Sequence, residues 1–419
     1  MNFLKNSSIY LAANILNAAI PFILIPILTR YLTIEEYGQI AMFQMLITGL
    51  STFIGLNTVG AANRKYFDDI NHEELKKFNG SCAQILIISS ALCFIISYII
   101  SEQLSLVLSI PIDWIYSAIS IVTLLYVVNL LLGQWQVRNQ AKKFGFLQIG
   151  SSIINMLLSL QLVIILNRQA EGRVEAQLIA AILTAIISII LLHKEKLITF
   201  FKLYPKKIKE ALLFGIPLIP HHIGIFLISA VDRFFINKDL GLEQAGIYMV
   251  AAQLSAALAI FFDAINKAYV PWLFNKLKKN QFNEKLKIVK YTYIYFLFLM
   301  LAAIISFIVG PKLIILIVGN KYADSGAIIG WLCLGQIFGG MYLMVTNYIF
   351  FSKKTSRLAF TTIITGILNI LLLILFIPYF GLLGAAYSFV IAKFCQFIFT
   401  WIISNSVIKM PWFLKKGIV

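Results

Sequence analysis

The chain reads as an all-α polytopic membrane protein, with twelve transmembrane helices in two six-helix lobes. Three observations predict this. Apolar runs of about 20 residues, each long enough to cross a bilayer as a helix, recur from one end of the chain to the other. Lys and Arg collect in alternate gaps between those runs. The two halves also repeat a set of short motifs in the same order.

Composition supports the first observation. The 419 residues are 60% hydrophobic and 13% charged, against about 45–50% and 25% in a soluble domain. A net charge of +17 would suggest nucleic acid in a soluble protein. Here the excess lies in loops that would face anionic headgroups, so membrane lipids are expected as partners and nucleic acid is not. Cys82, Cys93, Cys333 and Cys395 form no CxxC and no metal spacing, so they read as small core residues, with no metal and no cofactor.

The spans fall near 8–30, 38–61, 83–101, 114–136, 146–166, 175–193, 211–236, 246–268, 291–310, 326–351, 358–378 and 382–407. The first is too long for a signal peptide, lacks a clear cleavage site, and reads as an uncleaved span. With the N-terminus inside, 27 of the 35 Lys and Arg are cytoplasmic and seven, Arg173 among them, are on the other side. Lys393 lies within the last span. This bias places both termini in the cytoplasm. No outer loop is long enough to hold a domain. The two longest inner loops, near 194–210 and 269–290, are basic with interleaved aromatics (Phe200, Phe201, Tyr204; Trp272, Phe274, Phe282). Such segments commonly lie along the membrane surface.

The repeat divides the chain. Arg30-Tyr31 closes the first span and Arg233-Phe234 the seventh; the next spans open with Gly38 and Gly246. Phe146 and Asn155 recur at one offset as Phe360 and Asn369, and Gly172 with Ala176 matches Gly381 with Ala385. The expected organisation is an N-terminal lobe (1–193), a cytoplasmic linker (194–210) and a C-terminal lobe (211–419) in one orientation. Each lobe's first helix carries a proline pair, Pro21 and Pro26, then Pro217 and Pro220. Two readings stand: a static kink, or a hinge that opens one side of a cavity.

An ionisable group inside a span costs about 2.5–3.5 kcal/mol on insertion scales, so it usually faces a cavity or a partner. Arg30, Arg64, Arg233, Lys267 and Lys393 are the candidate lining of a cationic substrate cavity; Asp232 and Asp263 are candidates for ion coupling. For Arg30, Arg64, Arg233 and Lys267 the competing reading is snorkelling to headgroups. Asp263 and Lys267, four apart on one helix face, could form a structural ion pair instead. Asp232 and Arg233, being adjacent, are expected to point different ways. His221-His222 lacks a carboxylate or Cys partner and reads as hydrogen-bonded within a broken helix, not as a metal site.

A cationic lining suits an anionic substrate, whose export the membrane potential favours by about 2.3 kcal/mol per charge per 100 mV. The chain has no GxxxxGK[ST], GxSxG or HExxH, and its short outer loops argue against an enzyme.

Several segments together carry a family resemblance: Asn6-Ser-Ser-Ile-Tyr-Leu, Ile25-Pro-Ile-Leu-Thr-Arg-Tyr-Leu32 and Glu36-Tyr-Gly38, then Phe214-Gly-Ile-Pro-Leu-Ile-Pro-His221, Val231-Asp-Arg-Phe-Phe-Ile236, Ala245-Gly-Ile-Tyr248 and Gly381-Leu-Leu-Gly-Ala-Ala-Tyr387. In order and spacing the chain resembles the bacterial O-antigen or polysaccharide flippases (Wzx-type) of the multidrug/oligosaccharidyl-lipid/polysaccharide exporter superfamily. The resemblance implies two six-helix lobes facing a central cavity and alternating access in the cell inner membrane. It implies a lipid-linked oligosaccharide substrate, carried on undecaprenyl diphosphate to the outer leaflet for lipopolysaccharide or related polysaccharide biosynthesis. A polysaccharide polymerase and a chain-length regulator are the protein partners it suggests. Arg30, Asp232 and Arg233 fall on recognisable family positions; Lys267 and Lys393 rest on the charge argument alone. A cation-coupled multidrug antiporter of the same fold and a membrane polysaccharide polymerase are the competing readings.

Overall fold

The computed structural model describes residues 2–68, 71–199, 202–352, 354 and 356–413, with the side chains of residues 2–9, 11 and 356 outside that description. Phe200, Phe201, Lys353, Lys415 and Lys416 lie outside the described residues, as do the side chains of Lys5, Asn6, Ser7, Ser8 and Ile9. Among the described residues the secondary structure is helical throughout. Eleven helices are long and apolar enough to cross a membrane, twelve when one bent pair counts as a single span. Contacts divide the chain into two compact units: Met1–Ile223 with Gly241–Gly246, and Gly224–Leu240 with Ile247–Val419.

The first unit holds α1 (Asn2–Tyr31), α2 (Ile34–Phe53), α3 (Thr58–Lys65), α4 (His72–Ile99), α5 (Ser101–Leu108), α6 (Ile112–Val137), α7 (Ala141–Leu160), α8 (Gln169–Lys194) and α9 (Pro205–Gly215). It also takes the start of α10 (Ile219–Ser229). Thr33 and Glu36 form a capping box at the start of α2, each side chain accepting from the other's backbone N–H. That is why the chain can turn within two residues of Tyr31. Pro21 and Pro26 lie inside the unbroken α1. The core gathers side chains from α3, α4 and α6, among them Ala62, Phe78, Cys82 and Leu131.

The span expected at 38–61 is the bent pair: α2 and α3 meet at 50°. Gly55, Leu56 and Asn57 all adopt positive φ, at 75°, 46° and 58°, a run L-residues rarely enter. Three contacts hold the break. The Gly55 N–H donates to Ser89 Oγ at 2.8 Å, Thr58 Oγ1 to the Gly55 carbonyl at 2.6 Å, and Thr58 and Tyr126 share a hydroxyl–hydroxyl bond. Gly55 is required there: a Cβ would enter the Tyr126 ring. In hydrocarbon the freed backbone groups need such partners.

The inner segments, expected to lie along the membrane surface as amphipathic helices, are partly helical and pack in part into the protein. In the first, Leu197 and Ile198 are buried in the core, and α4 supports their backbone through Asn79 Nδ2, which donates to the Leu197 carbonyl at 2.9 Å. Pro205 opens α9, and Pro217 sits in a 3-10 turn, Ile216–Leu218, between α9 and α10. Glu195 follows α8. Burial pushes its carboxyl up, but bonds from Lys143 Nζ and Trp135 Nε1 outweigh that and hold it below its usual value of 4.5. Its contribution to stability is therefore complete above the ordinary carboxylate range and is lost as pH falls through the lowered folded value. Melting of the Glu195→Gln variant is expected to lose that acid dependence; wild-type acid dependence in the variant would refute this account.

The second unit holds α11 (Asp232–Leu240), α12 (Leu242–Lys278, past its first turn), α13 (Phe282–Val318), α14 (Ser325–Phe351), α15 (Ser356–Phe380) and α16 (Leu382–Val407). The segment at 269–290, expected along the membrane surface, is the continuation of α12 and the start of α13. Trp272 packs on Tyr269 and Tyr291, Phe274 on Phe351, and Lys276 bridges to Glu284 at 2.9 Å. An aromatic cluster of Tyr293, Phe296, Phe397, Trp401 and Trp412 fixes the end of the chain, where Tyr293 Oη donates to the Trp412 carbonyl at 2.7 Å.

Candidate functional site

A cavity of about 600 Å3 opens in the first unit at the α2–α3 break. Asn57, Gly60 and Asn63 face it from α3 and the break, at steps of three that keep one helix face. Asn129, Gly133 and Gln136 face it from α6, and Gln148 from α7. Tyr126 and His222 add a hydroxyl and an imidazole. No Lys, Arg, Asp or Glu is in this wall. Among the described residues, three atoms of lining side chains are buried without a protein partner: Asn57 Nδ2, Asn63 Oδ1 and Gln148 Oε1. A buried amide left unmade costs about 1–3 kcal/mol. Amides offer both donors and acceptors, which suits hydroxyl-rich neutral groups.

A second cavity, of about 400 Å3, lies on the other face of α3, with Arg64, Lys65, Asp68, Glu210 and Phe214 in its wall. Lys65 is neutralised there, bonding Glu210 at 2.6 Å and Asp68 at 3.2 Å. The Arg64 guanidinium lies 5.7 Å from the centre of the Phe214 ring and pairs with no carboxylate among the described residues.

The other predicted residues are placed as follows. Arg30 is exposed at the end of α1. Asp263 and Lys267 pair at 2.6 Å with both side chains about half exposed, the ion-pair reading. Lys393 lies inside α16, 5.7 Å from the centre of the Phe389 ring, and pairs with no carboxylate among the described residues. Asp232 and Arg233 do not point apart. The Asp232 carboxylate accepts the Arg233 backbone N–H at 2.9 Å and Arg233 Nη1 at 3.3 Å. It also accepts the buried Tyr248 hydroxyl at 2.6 Å. Arg233 curls back because Nη1 also donates to the Ser229 carbonyl at 2.8 Å. Adjacent residues normally diverge, but Asp232 opens α11 and Arg233 reaches back over the preceding turn.

The cavity amides were not anticipated. Their signal is in the sequence: Asn57, Asn63, Asn129, Gln136 and Gln148 are uncharged polar residues within or beside apolar runs, at one-face spacing. A search for charge passes over them.

The described residues form a multi-pass helical membrane protein with a partly polar cavity in its first unit. The chain belongs to the family of polysaccharide biosynthesis proteins, whose model matches residues 3–276. It is 29% identical over 398 residues to an uncharacterized membrane protein of Haemophilus influenzae, covering 92% of this chain and 95% of that one. It is 24% identical to the capsular polysaccharide biosynthesis protein CapF of Staphylococcus aureus, covering 94% and 97%. Among solved structures, the lipid II flippase MurJ in an inward closed conformation superposes with a TM-score of 0.77 at 15% identity, covering 96% of this chain and 87% of that one. That likeness bears on the fold. The expected resemblance to polysaccharide flippases and the all-helical, two-lobe class both hold.

Proposed function

We propose that the protein flips an undecaprenyl-diphosphate-linked oligosaccharide, the repeat unit of an O-antigen or related surface polysaccharide, by alternating access. Transport runs from the cytoplasmic to the outer leaflet of the bacterial inner membrane, with both termini cytoplasmic. The protein acts as a transporter, not an enzyme, and hands its cargo to a polysaccharide polymerase with its chain-length regulator.

The observation that carries this reading is the set of amide side chains in the wall of this cavity. Apolar lining would suit a drug-like cation, whereas Asn57, Asn63, Asn129, Gln136 and Gln148 offer sugar hydroxyls a full set of donors and acceptors. Arg64, one residue from Asn63, supplies a cation beside that cavity for the diphosphate. Family membership and a flippase fold support the same conclusion.

The test is deletion of the gene, with analysis of surface polysaccharide and of the lipid-linked intermediate in spheroplasts. Loss of surface glycan with single repeats retained on the cytoplasmic face is the expected result. Single repeats that reach the outer leaflet unpolymerised would replace this reading with a polymerase. In complementation, Asn63→Leu and Asn129→Leu are each expected to slow export about tenfold, since one lost polar contact of about 1.4 kcal/mol is a factor of ten. Export at the wild-type rate in both variants would remove the cavity from the mechanism.

A further inference from the structure

Arg173 was expected outside the membrane, yet it lies in the second turn of α8 with its head turned onto α7. Nη1 donates to Asn155 Oδ1 at 2.7 Å and to Ser159 Oγ. Both acceptors are neutral. The nearby acids are used elsewhere or face out: Glu175 pairs with Arg168, and Glu171 is exposed. Nε and Nη2 keep their donors without a protein acceptor among the described residues, three of the five N–H groups a guanidinium carries. A half-buried guanidinium that meets only amide and hydroxyl oxygens keeps a charge that no carboxylate among the described residues balances.

Its setting is not accidental packing. Ser159 is followed at once by a π-helical turn, Gln161–Ile165, which shifts the register of α7 before the chain reverses into α8. Gly172 permits that reversal, because a Cβ there would meet the Leu162 carbonyl. On α7, Gln148, Ser152, Asn155 and Ser159 follow steps of four, three and four, which is a single helix face. Asn14 and Asn17 of α1 meet that face: Gln148 Nε2 donates to Asn14 Oδ1 at 3.2 Å, and Ser152 Oγ to Asn17 Oδ1. The stripe thus begins at Gln148, in the cavity wall, and ends at Arg173. Eleven residues of helix make it about 16 Å long.

We propose that Arg173 is an anion-binding residue at the far end of this polar stripe, which receives a phosphate or carboxylate group of the transported headgroup. This rests on the flippase reading and deepens it: the substrate is held by amides along its neutral part and by a guanidinium at an acidic one. Arg64 and Arg173 then serve the two ends of the same unit. Arg64 lies near the α6–α7 turn, since Gln134 Nε2 donates to the Ala62 carbonyl, whereas Arg173 lies by the C-terminal end of α7.

The test uses the full-length protein in nanodiscs of phosphatidylcholine, with three probes: geranylgeranyl diphosphate, an oligoglucuronate, and a malto-oligosaccharide of equal length. At least one of the two anionic probes is expected to bind, and the one that Arg173→Gln weakens identifies the source of the charge at Arg173. Arg173→Gln should weaken that probe by at least about tenfold, the worth of a charge-assisted contact, and leave the neutral sugar unchanged. Asn155→Asp keeps the guanidinium and gives it an internal carboxylate. It should melt no lower than wild type yet lose the anion, which a merely structural pin between α7 and α8 would not do. Wild-type affinity for the anion in Asn155→Asp, or no binding of either anionic probe to the wild-type protein, overturns the proposal. Wild-type export by Arg173→Gln in cells, with anion affinity unaltered, refutes the anion site and leaves the flippase standing. If deletion of the gene leaves surface glycan intact, it is the flippase reading that fails.

Discussion

Asp232→Ala is expected to lose about 3–5 kcal/mol of stability, the usual cost of stripping one partner from a buried ion pair. The carboxylate is 3% exposed and serves three donors at once: the Tyr248 hydroxyl, the Arg233 backbone N–H and Arg233 Nη1. Truncation leaves the buried Tyr248 hydroxyl without this acceptor. Among the described residues it also leaves Arg233 with only the Ser229 carbonyl and the Met249 sulfur. Asp232→Asn keeps the shape and the acceptor oxygen but not the charge, so its loss should be smaller. Tyr248→Phe removes a donor and a buried polar group together and should cost about 1 kcal/mol. The measurement is thermal melting in detergent, with the double variant closing a cycle. If Asp232→Ala and Asp232→Asn melt together, at the wild-type temperature, the three-donor account is wrong. Because these bonds lie within the second unit, the prediction does not depend on the transport cycle.

A second large loss is expected at two glycines. Gly38 of α2 faces the Leu242 carbonyl, and Gly246 of α12 faces the Ile34 carbonyl. Each spans the contact that the other closes, and both contacts lie in the first unit. A Cβ at either position lands on backbone, which cannot rotate away as a side chain can. Small residues let membrane helices approach this closely. Gly38→Val and Gly246→Val should each exceed the 1–3 kcal/mol typical of overpacking and abolish accumulation of monodisperse protein. Gly38→Ala should fall between them and wild type. Full recovery of the valine variants from size exclusion would mean that the two helices need not touch here. The same pair of glycines was visible as a repeat: each opens the span that follows Arg30 or Arg233.

Much of the architecture could be read from one dimension because hydrocarbon permits so few structures. A run of about 20 apolar residues can only be a helix when its backbone must bond internally, so the spans near 114–136, 326–351 and 382–407 fall within a few residues of α6, α14 and α16. Failures came where backbone and side chains bond across helices. Nothing local in Gly55-Leu56-Asn57 announces three left-handed residues; Ser89 and Tyr126, 34 and 68 positions away from their partners, hold them.

Sites followed the same division. Charge is conspicuous in an apolar sequence, so Arg64, Asp232, Arg233, Asp263 and Lys393 could be singled out without coordinates. Whether each is free or neutralised could not. Asp263 is paired with Lys267, Lys65 with two acids, and Asp232 with Tyr248 and its own neighbour. Arg173 was placed by its sequence in a loop and by its fold against Asn155 and Ser159.

Composition and periodicity by themselves determined a helical membrane protein of two related lobes, because burying a helix in lipid is a condition on local sequence alone. Only the tertiary structure decided which polar groups meet. Hydrogen bonds and ion pairs form between residues distant in the chain, and a lone amide or guanidinium acquires its chemistry from whatever the packing sets, or fails to set, opposite it.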